Sequence, residues 1–194
     1  MNNIDIIKNN FEESRETNSI SSETILNSIE EAVSKILVMF EKSGKLITCG
    51  NGGSSGDAQH IASEFINRFE IERKSLPAIS LNSDTATLTS IANDYGYKYV
   101  FSKQINAIGK SDDVLMAFTT SGNSENILQA ITAAKSKGIS TILVCGGNGG
   151  EAIKLLDNDD IKIVVPSERT SRIQEIHLII IHSICECIDK NISK

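Results

Sequence analysis

The sequence is short of proline, of positive charge and of long apolar runs, and each shortage excludes something. Only two prolines occur, Pro77 and Pro166, each at the edge of a β-rich run, so no Pro-rich linker or low-complexity tract divides the chain. The formal net charge of -6 argues against a nucleic-acid surface, which needs a basic face to neutralise phosphates. Small anions can still bind locally. The segment Met1 to Asn10 lacks the apolar core of a secretion signal, which leads to the expectation of a cytoplasmic protein. The most apolar tract, Ile176 to Ile188, is too short to span a bilayer and is broken by His177, His182, Ser183 and Glu186. Cysteine is also sparse. Cys49, Cys145, Cys185 and Cys187 are too few for a disulfide framework in a chain this large and read as buried thiols in a reducing compartment. Cys185 and Cys187, two apart on a helix, point to different sides and make no metal pair.

What remains is a chain of 194 residues with 40% hydrophobic content, enough to bury the core of one domain. Ile4, Ile7 and Phe11, then Ile25, Ile29, Ala32, Val33, Ile36, Leu37 and Phe40, follow helical spacing and predict an N-terminal helical arm over 1–43. After Gly44 the rhythm changes. Short β-rich runs at 45–49, 78–81, 114–119, 141–145 and 161–165 alternate with segments long enough for helices. That alternation predicts right-handed crossovers and a five-stranded parallel sheet inside a three-layer α/β/α sandwich over 44–194. Ligands in such sheets gather beyond the carboxyl ends of the strands.

Two nucleotide fingerprints are missing there. Gly50-Asn-Gly-Gly-Ser-Ser-Gly56 has Ser55 where the dinucleotide pattern needs glycine, and it lacks the Gly-Lys-Ser/Thr ending of a P-loop. Three strand ends nevertheless carry small polar turns: Gly50 to Gly56, Thr119-Thr-Ser-Gly-Asn-Ser124, and Gly146 to Gly150. Glycines let the backbone approach a ligand, first-turn N–H groups of the next helix favour an anion, and the hydroxyls of Thr120, Ser121 and Ser124 add donors. The same residues also serve as ordinary N-caps and tight turns. With no Lys or Arg in either serine loop, a phosphate monoester held by dipoles and hydroxyls fits better than a triphosphate with Mg²⁺.

His60 and Glu64 are four apart, so on a helix they share one face next to the first loop. The pair suits proton transfer beside a sugar phosphate or a divalent metal such as zinc, and it also suits a plain surface ion pair. In the last segment, Ser171 to Gln174 matches a capping box, which gives Gln174 a structural role. His177 is expected near the helix surface. His182, set among Leu178-Ile-Ile-Ile and Ile184, reads on its own as a core histidine with a partner. Gln174 and His182 are roughly 12 Å apart along a helix, so convergence on one ion would be tight.

Gly50-Asn-Gly-Gly-Ser54, Asp57-Ala-Gln-His60, Asn93-Asp94-Tyr-Gly96, Thr120-Ser-Gly-Asn-Ser124 and Arg172-Ile-Gln-Glu-Ile-His177 together resemble the sugar isomerase (SIS) domain family, and more narrowly its sedoheptulose 7-phosphate isomerase branch. The resemblance implies a cytoplasmic homotetramer interconverting sedoheptulose 7-phosphate and D-glycero-D-manno-heptose 7-phosphate, the first step toward the heptose of bacterial surface polysaccharide. It implies substrate contacts at Asn51, Gly52, Gly53, Asn93, Asp94 and Gln174. Phosphate contacts are implied at Thr119, Thr120, Ser121 and Ser124, with Ser54 close by. It implies one zinc per subunit on His60, Glu64, Gln174 and His182, and acid-base roles for Glu64 and His182. A related non-catalytic adaptor, the DnaA initiator-associating protein, shares Ile66-Asn-Arg-Phe69 and Ser75-Leu-Pro-Ala78 but departs at Glu64, Ser121 and His182, where this chain has the isomerase type. A sugar-phosphate sensor on the same fold would carry a DNA-binding domain, which this acidic chain lacks.

Overall fold

The computed structural model describes residues 2–192. An N-terminal pair of helices, α1 (Asn3–Thr24) and α2 (Leu26–Glu41), leads into β1 (Leu46–Gly50), α3 (Gly53–Ile66), β2 (Ala78–Ser80), α4 (Thr85–Tyr95), α5 (Ser102–Ile108), β3 (Val114–Thr119), α6 (Glu125–Ser136), β4 (Ser140–Gly146), β5 (Ile161–Val165) and α7 (Thr170–Ile192). The five strands form one sheet in the order β2-β1-β3-β4-β5, every pairing parallel. The strands match the sequence expectation to within a residue or so at their ends.

The central strands are apolar without alternation because both faces of the sheet are covered. Every residue of β1 and of β3 is buried. Alternate side chains feed two cores. Leu46, Met116, Phe118, Ile142 and Val144 meet α2, α3 and α7, whereas Ile47, Cys49, Leu115, Ala117 and Leu143 meet α5 and α6. Phe65, Phe101 and Phe118 are fully buried, each contributing about 1.5–3 kcal/mol by leaving water. β5 lies at the edge and alternates, with Lys162 turned to solvent.

The arm divides into unlike halves. α2 packs Ala32, Val33, Ile36 and Met39 into the core. α1 starts from a capping box in which the Asn2 side chain accepts from Asp5 N at 2.9 Å while Asp5 Oδ2 accepts from Asn2 N at 3.2 Å. Its Ile4, Ile7 and Phe11 stay exposed, Phe11 by 74%.

Two cysteine and helix-end expectations need correction. Cys49, Cys145 and Cys185 are buried but Cys187 is exposed, because it lies two residues beyond Cys185 and thus on another side of the helix. α7 begins at Thr170, so Ser171 lies inside its first turn rather than before it, and Gln174 is not the third residue of a capping box.

Candidate functional site

The strand order reverses direction between β1 and β3, and there the chain ends of the two strands stand side by side, Gly50 paired with Phe118. The crevice outside such a switch point is where open parallel sheets place ligands. The loops that follow are stitched across it. Asn51, after β1, and Asn126, in the first turn of α6, exchange two amide hydrogen bonds of 2.8 Å. Tyr97 Oη donates to Asn51 Oδ1 at 3.2 Å. Asn82, past the end of β2, grips Gly50 from the side, accepting from its N–H at 3.2 Å and donating to its carbonyl at 2.9 Å. Asn82, Tyr97 and Asn126 escaped the sequence reading; only the placing of Tyr97 right after Asn93-Asp94-Tyr-Gly96 hinted at one of them.

The helices beyond these loops start without a side-chain cap. Gly52 and Ser124, the N-caps of α3 and α6, make no side-chain capping bond; Ser54 N and Ser55 N of α3 and Ile127 N of α6 bond backbone carbonyls, so the first N–H groups of each helix are the ones an anion would take. Thr119 is buried and its Oγ1 accepts from Gly122 N at 3.2 Å, while Ser121 Oγ accepts from Asn123 N at 3.2 Å. Gly122 has φ +67° and lies so close to Gly149 that a Cβ would strike its carbonyl. The third loop is thereby locked onto the second, with Glu151 N donating to Asn123 Oδ1 at 3.0 Å. A polar cavity of about 310 Å³ opens beside them, lined by Thr120, Ser121, Asn123, Asn148, Glu168 and Thr170. A larger one, about 550 Å³, lies at the opposite end of the sheet, where Asp113, Ser140 and Ile161 mark the strand starts. The smaller cavity takes in Thr120 and Ser121 of the hydroxyl loop, whereas His60, Glu64 and His182 lie outside its lining.

The titratable face lies along α3 and α7, which run parallel. His60 Nε2 is 3.3 Å from Glu64 Oε1, as the four-residue spacing predicts. The His182 ring stands edge-on to His60 with centroids 5.1 Å apart and stacks on Phe69 at 5.5 Å. Both α3 side chains are only partly covered, His60 by two thirds and Glu64 by three quarters. The two α7 histidines exchange the environments expected of them. His182 is exposed and His177 is wholly buried. The inward stripe of α7 is Ile173, Ile176, Ile180, Ile181 and Ile184, and His177 falls on it at three- and four-residue spacings while His182 falls beside it.

Gln174 lies against the start of α3, where a Cβ on Gly53 would collide with its carboxamide. It is therefore two helical turns from His182, and the structure joins His60 to Glu64 and His182 but not to Gln174. Asn93 and Asp94 are exposed and hydrogen-bonded to each other at 2.8 Å. Ser54 is buried beneath Gly50.

Two imidazoles and a carboxylate are donors of the kind a divalent ion takes. Two imidazoles on one tetrahedral zinc have ring centres roughly 5 Å apart, the separation seen here, and Glu64 adds an oxygen. The donor types are therefore right for a divalent ion, but among the described residues no three His, Cys, Asp or Glu side chains are grouped closely enough to hold one.

The family model described as "SIS domain" matches residues 10–146. A phosphoheptose isomerase of Colwellia psychrerythraea is 54% identical over 183 residues, 94% of this chain and 93% of that one. One of Alteromonas mediterranea is 49% identical over 189 residues, 97% of this chain and 96% of that one. The solved structure of a phosphoheptose isomerase from Francisella tularensis superposes with a TM-score of 0.96 at 40% identity, covering 98% of this chain and all of that one.

Proposed function

The chain belongs to the SIS domain family and, within it, to the phosphoheptose isomerases, and from that premise we infer the division of labour in its site. The reaction is the interconversion of sedoheptulose 7-phosphate and D-glycero-D-manno-heptose 7-phosphate. An aldose-ketose isomerisation moves a proton between adjacent carbons through an enediol, so it needs a base beside the sugar and a group that manages the oxygen protons. It needs no redox cofactor. The observation that carries the assignment is the His60-Glu64-His182 face on α3 and α7, on the helix that leaves the switch-point loop.

Glu64 takes the proton from the carbon beside the carbonyl and returns it to its neighbour. His182 moves the proton between the two oxygens. Thr119, Thr120, Ser121 and Ser124 hold the phosphate with the first N–H groups of α6, and that distant anchor aligns the reacting carbons. Asn51, Gly52, Gly53, Asn93, Asp94 and Gln174 meet the sugar hydroxyls. A zinc ion in place of His182 as the electrophilic partner would be held by His60, Glu64 and His182 and would supply Lewis-acid stabilisation of the enediol oxygen. Ligation engages the lone pairs of Glu64 and His182, so that role competes with their proton transfer.

The exposed apolar rows of α1, together with Leu178 and Ile179 on α7 at 40% and 44% exposure, support a homotetramer assembled through the arm; work in the cytoplasm and supply of heptose for surface polysaccharide are carried by the family resemblance alone. Light scattering should report about four chains; an active monomer would rule the assembly out. For the reaction, purified protein is incubated with sedoheptulose 7-phosphate and the aldose followed by NMR. No aldose with zinc supplied would overturn the isomerase and favour the initiator-binding adaptor.

A further inference from the structure

α3 and α7 meet along a seam with a rung every turn or two: Gly53 against Gln174, Asp57 beside His177, His60 edge-on to His182, and, past the end of α3, Arg73 on Asp189. The second rung is used by nothing so far described. His177 has no exposed surface, and Asp57 is 6% exposed. Asp57 Oδ2 lies 3.4 Å from His177 Nδ1. Neither ring nitrogen of His177, nor Asp57 Oδ2, has a hydrogen-bond partner among the described residues. The His177 ring also lies 5.9 Å from that of Phe118, one residue before the hydroxyl loop.

Burying two ionisable side chains costs free energy that apolar residues of the same size would not. The best-attested return for such a cost is register. Here register needs fixing. The buried stripe of α7 is a row of isoleucines, and non-directional packing of near-identical side chains opposes a slide along the helix axis only weakly. That leaves the task to the polar rungs, Asp57 with His177 and Arg73 with Asp189. A slide would separate Glu64 on α3 from His182 on α7, and a misplacement of about 1 Å costs roughly 10²-fold in rate.

We propose that Asp57 and His177 are a positioning pair whose contact sets the axial register of α7 on α3 and so the spacing of Glu64 and His182. The proposal rests on the isomerase reading for its kinetic consequence alone. His177→Leu removes the polar contact, and His177→Asn keeps a donor where Nδ1 stands; both lose ring volume and both lower the melting temperature. In His177→Leu, kcat falls about 10- to 100-fold with KM within about twofold, because the phosphate loop is untouched, and His177→Asn recovers most of the loss. Equal kcat in the two variants, or wild-type kcat in His177→Leu, overturns the pair. Should His177→Leu fail to fold, Asp57→Leu against Asp57→Asn makes the same comparison from α3. The crystal structure of a folded variant reads the register without any assay. An unchanged Glu64 to His182 spacing overturns the proposal even if the wild-type protein proves inactive on sedoheptulose 7-phosphate, an outcome that would sink only the isomerase reading.

Discussion

The hydroxyl loop after β3 and the titratable face on α3 and α7, given to one site in the proposed function, are built by opposite means. The loop is pinned by bonds between main chain and short side chains: Gly122 is wedged on Gly149, Gly122 N bonds Thr119 Oγ1, and Asn123 Oδ1 reaches the third loop. Its donors are aimed before any ligand arrives. The face is made of side chains on helix surfaces, partly open to solvent, held by a 3.3 Å contact and two ring contacts. Holding a phosphate requires fixed dipoles, whereas moving protons requires side chains whose protons can leave. The division implies that substitutions should separate affinity from rate.

The largest effect is expected at Glu64. Glu64→Gln keeps size and polarity but loses the base, so turnover falls by about 10² or more while calorimetric affinity for the sugar phosphate persists. Near-normal turnover would break the comparison. Next comes the frame. Arg73 Nε donates to Asp189 Oδ1 at 2.5 Å, and its guanidinium also donates to the carbonyls of Glu64 at 2.8 Å and Phe65 at 3.0 Å. With both side chains 4% exposed, Arg73→Ala breaks a buried ion pair together with the bonds to the two carbonyls and costs about 3–5 kcal/mol. Calorimetry should show a melting temperature lower by about 6–20 °C.

Ser121→Ala is smaller still. It removes one hydroxyl donor to a charged acceptor, worth about 1–3 kcal/mol of affinity, and turnover at saturation falls less. If affinity were unchanged, the loop would lose its assigned task. The smallest effect touches neither region. Burial pushes the thiols of Cys49, Cys145 and Cys185 up to about 12, so a thiol reagent at neutral pH should modify Cys187 alone in the native protein and all four cysteines after denaturation.

The strands were legible because central parallel strands are continuous apolar runs, and the His60-Glu64 contact was legible because it is local to one helix. The phase of α7 was not. Leu178-Ile-Ile-Ile181 is apolar on every side, so no polar residue marks which face turns inward, and the core of α3 and β3 made the choice. That choice buried His177 and exposed His182. The links of Asn51 to Asn126 and Tyr97 were illegible for a related reason. They join loops far apart in sequence, and only the strand order brings them together.

The seam of α3 and α7 also has a history in the life of each molecule. The partners along it are far apart in the chain, 116 residues between Arg73 and Asp189. At about 5–20 residues per second of synthesis, the inward side of α3 waits roughly 6 to 23 s for the helix that covers it. During that interval Ile61 and Phe65, fully buried in the finished fold, lack part of their cover, and the pairing they await is of the long-range kind that forms slowly. Production of this protein should therefore be limited by the nascent chain. Slower growth temperature or chaperone supply should raise soluble yield more than any substitution at the site, and pulse proteolysis of stalled chains should cut within α3 until α7 has emerged.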